Sequence, residues 1–112
     1  MGEGGWKNDQ EKVRTDLLPI DGLMEEAQVW TFGAKKYEPR NWEKGLAWSR
    51  PYGALLRHIW AWWSGEEFDP ETGISHLAHA SCCIRMLQCY RIRQVGEDDR
   101  PIRKEPANER HV

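Results

Sequence analysis

Apolar positions recur at helical spacing in three stretches of the chain and alternate as a strand nowhere over five or more residues. The first stretch predicts a helix from Asp21, as N-cap after Pro19 and Ile20, to about Tyr37, with Pro39 stopping it. At 100° per residue, Leu23, Ala27, Trp30, Ala34 and Tyr37 share one face, Glu26 lies at its edge and Glu25 points outward. The second predicts a helix from Pro51 to about Ser64, with Ser49 as its candidate cap and Gly65 as its end. Tyr52, Leu55, Ile59, Trp62 and Trp63 form its apolar face; His58 sits at the edge and Arg57 turns further away. The third carries the clearest start signal: Asp69 as cap, Pro70 at the first position and Glu71 in the first turn, for a helix to about Ile92. Its inner arc reads Leu77, Ala80, Cys83, Ile84, Leu87 and Tyr90, with His76 and His79 inside it and Arg85, Gln88 and Arg93 outside.

The segment 38–50 combines Pro, Asn and Gly without a helical stripe, and reads as a structured, functional loop. Residues 1–13 are Gly- and charge-rich and predict a flexible arm; residues 94–112 predict a charged tail that frays or lies on a neighbour. Residues 14–93 remain as one compact all-α domain of three main helices. Their apolar arcs exceed what so short a chain covers alone, so the domain is expected to complete a helical bundle in a homo-oligomer.

Composition narrows the function classes. A formal charge of −2 removes the electrostatic case for a nucleic-acid polymer as partner. Mean hydropathy is −0.81 and no apolar run is long enough to span a membrane, so no membrane partner is expected. No apolar leader stands at the start, which predicts a cytoplasmic protein. The three cysteines show no CxxC spacing, arguing against a zinc ribbon and for reduced thiols.

The chemistry-bearing residues converge on one pattern. Glu26, His58, His76 and His79 occupy inward edges of three helices, while Glu66, Glu67, Asp69 and Glu71 crowd the connection before the third. Carboxylate oxygen with imidazole nitrogen suits Mg²⁺ or Mn²⁺, and zinc where imidazole dominates. The same residues also admit a plainer reading, in which the histidines are satisfied core groups, Asp69 only a helix cap, and Cys83 core packing rather than a ligand. Lys35, Lys36, Arg40 and Arg57 flank the region either as a phosphate clamp or, for the lysines, as partners of a helix C-terminus. Asn41 and Trp42 suit a base as well as they suit the core.

Arg14–Pro19 (RTDLLP), Gly33–Leu46 (GAKKYEPRNWEKGL), Ala54–Trp62 (ALLRHIWAW) and Gly65–Ala80 (GEEFDPETGISHLAHA) resemble the N-terminal domain family of phage dATP/dGTP diphosphohydrolases. The shared pattern reads GA-x-KY, NW-x-KG, A-x-x-RH, GE-x-x-D-x-E-x-G and H-x-x-H in order. This resemblance implies an all-α hydrolase, related in outline to MazG-like nucleoside triphosphate pyrophosphatases, acting in the host cytoplasm if phage-encoded. It would cleave deoxypurine triphosphates to a monophosphate and pyrophosphate with Mg²⁺ or Mn²⁺. His58, Asp69, His76, His79 and Glu26 would then be metal ligands, and Glu66 or Glu71 the group receiving the proton of the attacking water. Lys35, Lys36, Tyr37, Arg40, Asn41, Trp42 and Arg57 would hold the substrate. The chain departs from the MazG pattern in offering ALLRH and HLAH where that pattern has ExxE and ExxD. Two other functions remain open: a non-catalytic nucleotide- or metal-binding module, and a helical assembly protein using Trp60 as interface.

Overall fold

The computed structural model describes residues 12–101, and among them the regular structure is helical, with no strand beyond two isolated bridges. Three α-helices follow in order: α1 (Ile20–Lys36), α2 (Ser49–Trp63) and α3 (His76–Arg93). Short 3-10 turns at Thr15–Leu17 and Asn41–Lys44 occupy the segments before α1 and α2. No helix is long and apolar enough to cross a membrane. The expected arm and tail, apart from residues 12–13 and 94–101, lie outside the described residues.

Helices α2 and α3 form an antiparallel hairpin. His58 meets His76 at one end, and the Trp48 indole N–H donates to the Val95 carbonyl (2.9 Å) at the other. Trp48 and Ser49, at the start of α2, find their acceptors far along the chain. The Ser49 N–H and hydroxyl both donate to the Asp99 carboxylate, so Asp99 is the cap and Ser49 lies inside the helix. The Trp48 N–H donates to Glu97 O (2.9 Å) and the Glu97 N–H to Leu46 O (3.1 Å). Residues 94–101 are thereby tied to the body at the start of the segment expected to fray. Gly96, at φ +83°, approaches Leu46 so closely that a Cβ there would lie 2.4 Å from the Leu46 carbonyl oxygen. No larger residue fits that strap.

The packed faces differ from the wheels drawn on the sequence. In α1 the buried residue is Glu26, while Ala27 and Tyr37 are exposed; the inward face has rotated toward the acid. In α2, Tyr52 and Trp63 are exposed, leaving Leu55, Ile59 and Trp62 half-buried. In α3, Leu77 and Ile84 are exposed, and Ala78, Ala80, Cys82 and Tyr90 make the core. The small residues among these allow close approach of helices on more than one side of α3. Arg85, expected outside, turns onto Glu26.

That pair explains the rotation. Glu26 accepts from Arg85 Nε (3.1 Å) and Nη2 (2.9 Å), from the Ser81 hydroxyl (2.7 Å) and from the Trp30 indole N–H (2.9 Å). A buried carboxylate is tolerable only with such partners. The Arg85 guanidinium, working against burial and helped by Trp30 and Ser81, holds the carboxyl down at about 2. Trp42 anchors the other side of the core, its ring 4.9 Å from Trp30 and 5.9 Å from Tyr90, and its carbonyl accepts from the Tyr90 hydroxyl (2.6 Å).

Glu26→Gln keeps the shape and removes the charge, and is expected to cost about 2 kcal/mol in denaturant unfolding at pH 7. Because the folded carboxyl titrates below its ordinary 4.5, its contribution is whole above pH 4.5 and disappears as the pH falls through about 2. The difference between wild type and Glu26→Gln should therefore narrow steadily in melts at pH 5, 3.5 and 2.

Candidate functional site

The connection from α2 to α3 builds the site. Gly65, at φ +106°, ends α2, and the chain reverses through a turn closed by Asp69 N–H to Ile74 O (2.9 Å) and His76 N–H to Glu67 O (3.1 Å). The Asp69 cap signal is real but serves this turn. Asp69 Oδ1 accepts from the Glu71 and Thr72 N–H groups (2.8 and 3.1 Å), and Gly73, at φ +73°, then bends the chain away from a helical path. Helix α3 consequently starts at His76, with the Ser75 hydroxyl accepting from the Leu77 N–H (3.0 Å). The predicted start at Pro70 is corrected by that glycine: its left-handed conformation breaks the run.

This turn and the first turn of α3 set three side chains, Asp69, His76 and His79, against His58 of α2. His58 Nδ1 lies 2.9 Å from His76 Nδ1 and 3.8 Å from Asp69 Oδ2, and the rings of His58 and His79 stack at 4.5 Å with 9° between planes. His76 Nε2 is 2.7 Å from Glu66 Oε1, and His79 Nε2 is 2.7 Å from the Thr72 hydroxyl, which also accepts from the Ile74 N–H. His76 is buried, at 3% exposure, and His58, His79 and Asp69 are half-buried. One donor atom each from His58, Asp69 and His76 falls within 4.8 Å of the others, a spacing suited to a metal ion.

Burial pushes the His58 imidazole below its ordinary value, and the neighbouring His79 and His76 push it further against the pull of Asp69. Burial lowers His79 likewise. For Asp69, burial acts upward, but the N–H groups of Thr72 and Glu71 and the two adjacent histidines outweigh it, leaving the carboxyl below its usual range. The result at His58 and His79 favours neutral imidazole beside an ionised Asp69 carboxylate, the protonation state a cation requires.

The structure brings only part of the expected set together. Glu66 contacts His76 directly, and Glu71 pairs with Lys36 (3.1 Å) while its charge reaches His79. Arg57 is exposed, with its charge felt at His58 and Cys83. Lys35 and Tyr37 are exposed near Lys36, whose Nζ stands 5.5 Å from the Tyr37 ring centre. Glu26 is excluded as a ligand, because Arg85, Ser81 and Trp30 take its oxygens. Arg40 pairs with Glu43 (2.8 Å). Trp42, and with it Asn41 and Arg40, belong to the opposite end of α3. Tyr90, which Trp42 touches, is fourteen residues beyond His76, about 21 Å along a helix. The base-stacking role for Trp42 is corrected to core packing. Burial pushes the Cys82 and Cys83 thiols up to about 12 and about 11, which favours packing over ligation. Thr72 was not foreseen; its signal is its place three residues after Asp69 in the turn.

A groove of about 700 Å³ lies elsewhere, between the start of α2 and the later turns of α3, lined by Trp48, Tyr52, Ile84, Leu87 and Arg91 among others. It contains none of the expected ligands. The residues of the histidine cluster are not among those lining this groove.

Since His58 and His79 titrate below the ordinary 6.5 when folded, their neutral forms stabilise the hairpin fully above pH 6.5, and that stability is lost as the pH falls through the lowered values. Melts of metal-free protein at pH 7.5, 6.5 and 5 are expected to show a falling midpoint, with a shallower fall for His79→Gln. A flat profile would contradict the burial of neutral imidazoles.

Comparison with known proteins agrees with the motifs. The family described as dATP/dGTP diphosphohydrolase, N-terminal, matches residues 2–100. A dATP/dGTP diphosphohydrolase of Salmonella phage PMBT28 is 32% identical over 96 residues, covering 86% of this chain and 33% of the relative. The chain thus spans about a third of that relative's length. No solved structure matches. With the match running from before α1 to beyond α3, the chain belongs to the dATP/dGTP diphosphohydrolase N-terminal family.

Proposed function

We propose that this chain takes part in metal-dependent hydrolysis of deoxypurine nucleoside triphosphates, of the dATP and dGTP type, to a monophosphate and pyrophosphate. Family membership and the relative's name support the substrate class. The observation that carries the reading is the convergence of two imidazole Nδ1 atoms, 2.9 Å apart, on a half-buried carboxylate. Their spacing fits a common ion, since two donors each about 2.1 Å from a metal and at right angles stand about 3 Å apart. His58, His76 and Asp69 would hold it, with His79 beside them.

A divalent cation there, Mg²⁺, Mn²⁺ or zinc, supplies Lewis acidity toward water and phosphate oxygen. The chain's own groups do the rest. Glu71, next to His79, receives the proton as water oxygen bonds to the α-phosphorus and the bond from that phosphorus to the bridging oxygen breaks. Lys36, Lys35 and Arg57 neutralise the charge gathering on the departing pyrophosphate. Tyr37, standing over Lys36, borders the phosphate path. The exposed Tyr52, Trp60, Trp63 and Ile84 leave apolar surface for a second copy, and the chain works as a homo-oligomer.

One observation favours a second reading. The relative is about three times as long as the matched region, so the histidine site can serve as a metal- or nucleotide-binding module for chemistry done by the remainder.

Purified chain incubated with dATP, dGTP, dCTP or dTTP and Mn²⁺ separates the two. Pyrophosphate release with a purine preference is expected, falling about 100-fold or more in His58→Gln and His76→Gln with unchanged far-UV circular dichroism. Stoichiometric Mn²⁺ uptake without pyrophosphate selects the binding module. Full turnover by both variants ends the role assigned to the histidines.

A further inference from the structure

The two ring nitrogens of His76 have different neighbours, and the difference fixes its chemistry. Nε2 faces the Glu66 carboxylate at 2.7 Å, and an ionised carboxylate only accepts. In that contact the ring, when it carries one proton, carries it on Nε2 and leaves a lone pair on Nδ1. That lone pair points at His58 Nδ1, 2.9 Å away. Without a cation, the contact needs the proton of His58 on its own Nδ1. With that proton moved to Nε2, both nitrogens become donors to one centre.

A donor set of two imidazoles and one carboxylate suits borderline first-row ions, whereas Mg²⁺ favours an oxygen shell. A carboxylate behind a ligating histidine orients the ring and raises its basicity. Glu66 is 53% exposed at its side chain, so its structural weight in the core is small.

Resting on the metal reading given above, we infer that Glu66 is a positioning residue, not the proton acceptor. It holds His76 as the Nε2–H tautomer and so makes the His58–His76–Asp69 cluster selective for a transition ion of the Zn²⁺ or Mn²⁺ kind over Mg²⁺.

The test uses metal-free full-length chain, nitrogen-15-labelled at histidine, with Glu66→Ala and Glu66→Gln. Long-range nitrogen–proton spectra are expected to show His76 as the Nε2–H tautomer in wild type and in Glu66→Gln, which keeps an accepting oxygen. Glu66→Ala should show a tautomer mixture. In equilibrium dialysis against Zn²⁺ with millimolar Mg²⁺ present, wild type should take up one Zn²⁺ that His76→Gln does not. Glu66→Ala should bind it about 10- to 100-fold more weakly, with Glu66→Gln recovering most of the loss. Zn²⁺ uptake and tautomer both unaltered by Glu66→Ala would overturn the role of Glu66 alone, and displacement of Zn²⁺ by equimolar Mg²⁺ would overturn the selectivity. Wild-type chain that takes up no Zn²⁺ would overturn the metal reading and this inference with it.

Discussion

The reversal of the chain between Gly65 and His76 is the constraint on which the site depends. Helices α2 and α3 are each regular, and neither alone brings more than adjacent turns together. At this end of the hairpin, the connection decides which residue of one faces which residue of the other. Asp69 secures that register twice, by accepting two turn N–H groups through Oδ1 and by presenting Oδ2 toward His58. One carboxylate thus shapes the loop and furnishes the site. A helix running from Pro70, as the cap signal suggested, would have carried Glu71 and Thr72 away on successive faces. The turn instead leaves the Glu71 charge within electrostatic reach of His79 and the Thr72 hydroxyl on its ring.

Much of the fold was legible because it rests on local signals. The first two helices follow their periodicity to within two residues at each end, and the three-helix, strandless class follows from the same pattern. Failures occurred where a local signal had two physical uses. Asp-Pro-Glu starts a helix or caps a turn, and only Gly73, four residues on, decides between them. His58, His76 and His79 were legible as a group, because ligand-type side chains at the edges of apolar faces are costly without a partner, whereas Asp69 and Glu66 stood out only by their place in the connection before α3. Glu26 fitted that rule equally well, yet its partner is Arg85. Nothing in single-helix periodicity says whether an inward acid meets an arginine or a metal; that depends on helix rotation, which the pair itself helps to set. Trp42 was ambiguous for a similar reason, since a loop indole serves a core or a base alike until Trp30 and Tyr90 are seen to enclose it.

The two buried polar systems have opposite logic. Around Glu26 every oxygen is satisfied by a donor from the protein, the charges cancel, and the carboxyl is driven toward permanent ionisation. Such a network orders α1 against α3 and has no capacity left for a ligand. Around His58 the donors are arranged against one another: two Nδ1 atoms share a single hydrogen-bonding position, and burial suppresses the charge that would relieve the clash. The first system closes on itself. The second is complete in the metal-free chain only while one tautomer lends it a proton.

That difference bears on how a small helical domain can hold a cluster of this kind. The core of this domain is thin, built from alanines, a cysteine and one tyrosine, with many large apolar side chains left at the surface. A site placed in such a frame gains its rigidity from hydrogen bonds rather than from bulk packing. The Glu66–His76 and Thr72–His79 contacts supply it, each fixing a ring through its Nε2. Both partners come from the same turn, as does Asp69, so the carboxylate facing His58 and the groups that orient His76 and His79 belong to one piece of chain. Relative motion of α2 against that piece changes a single set of distances, those to His58.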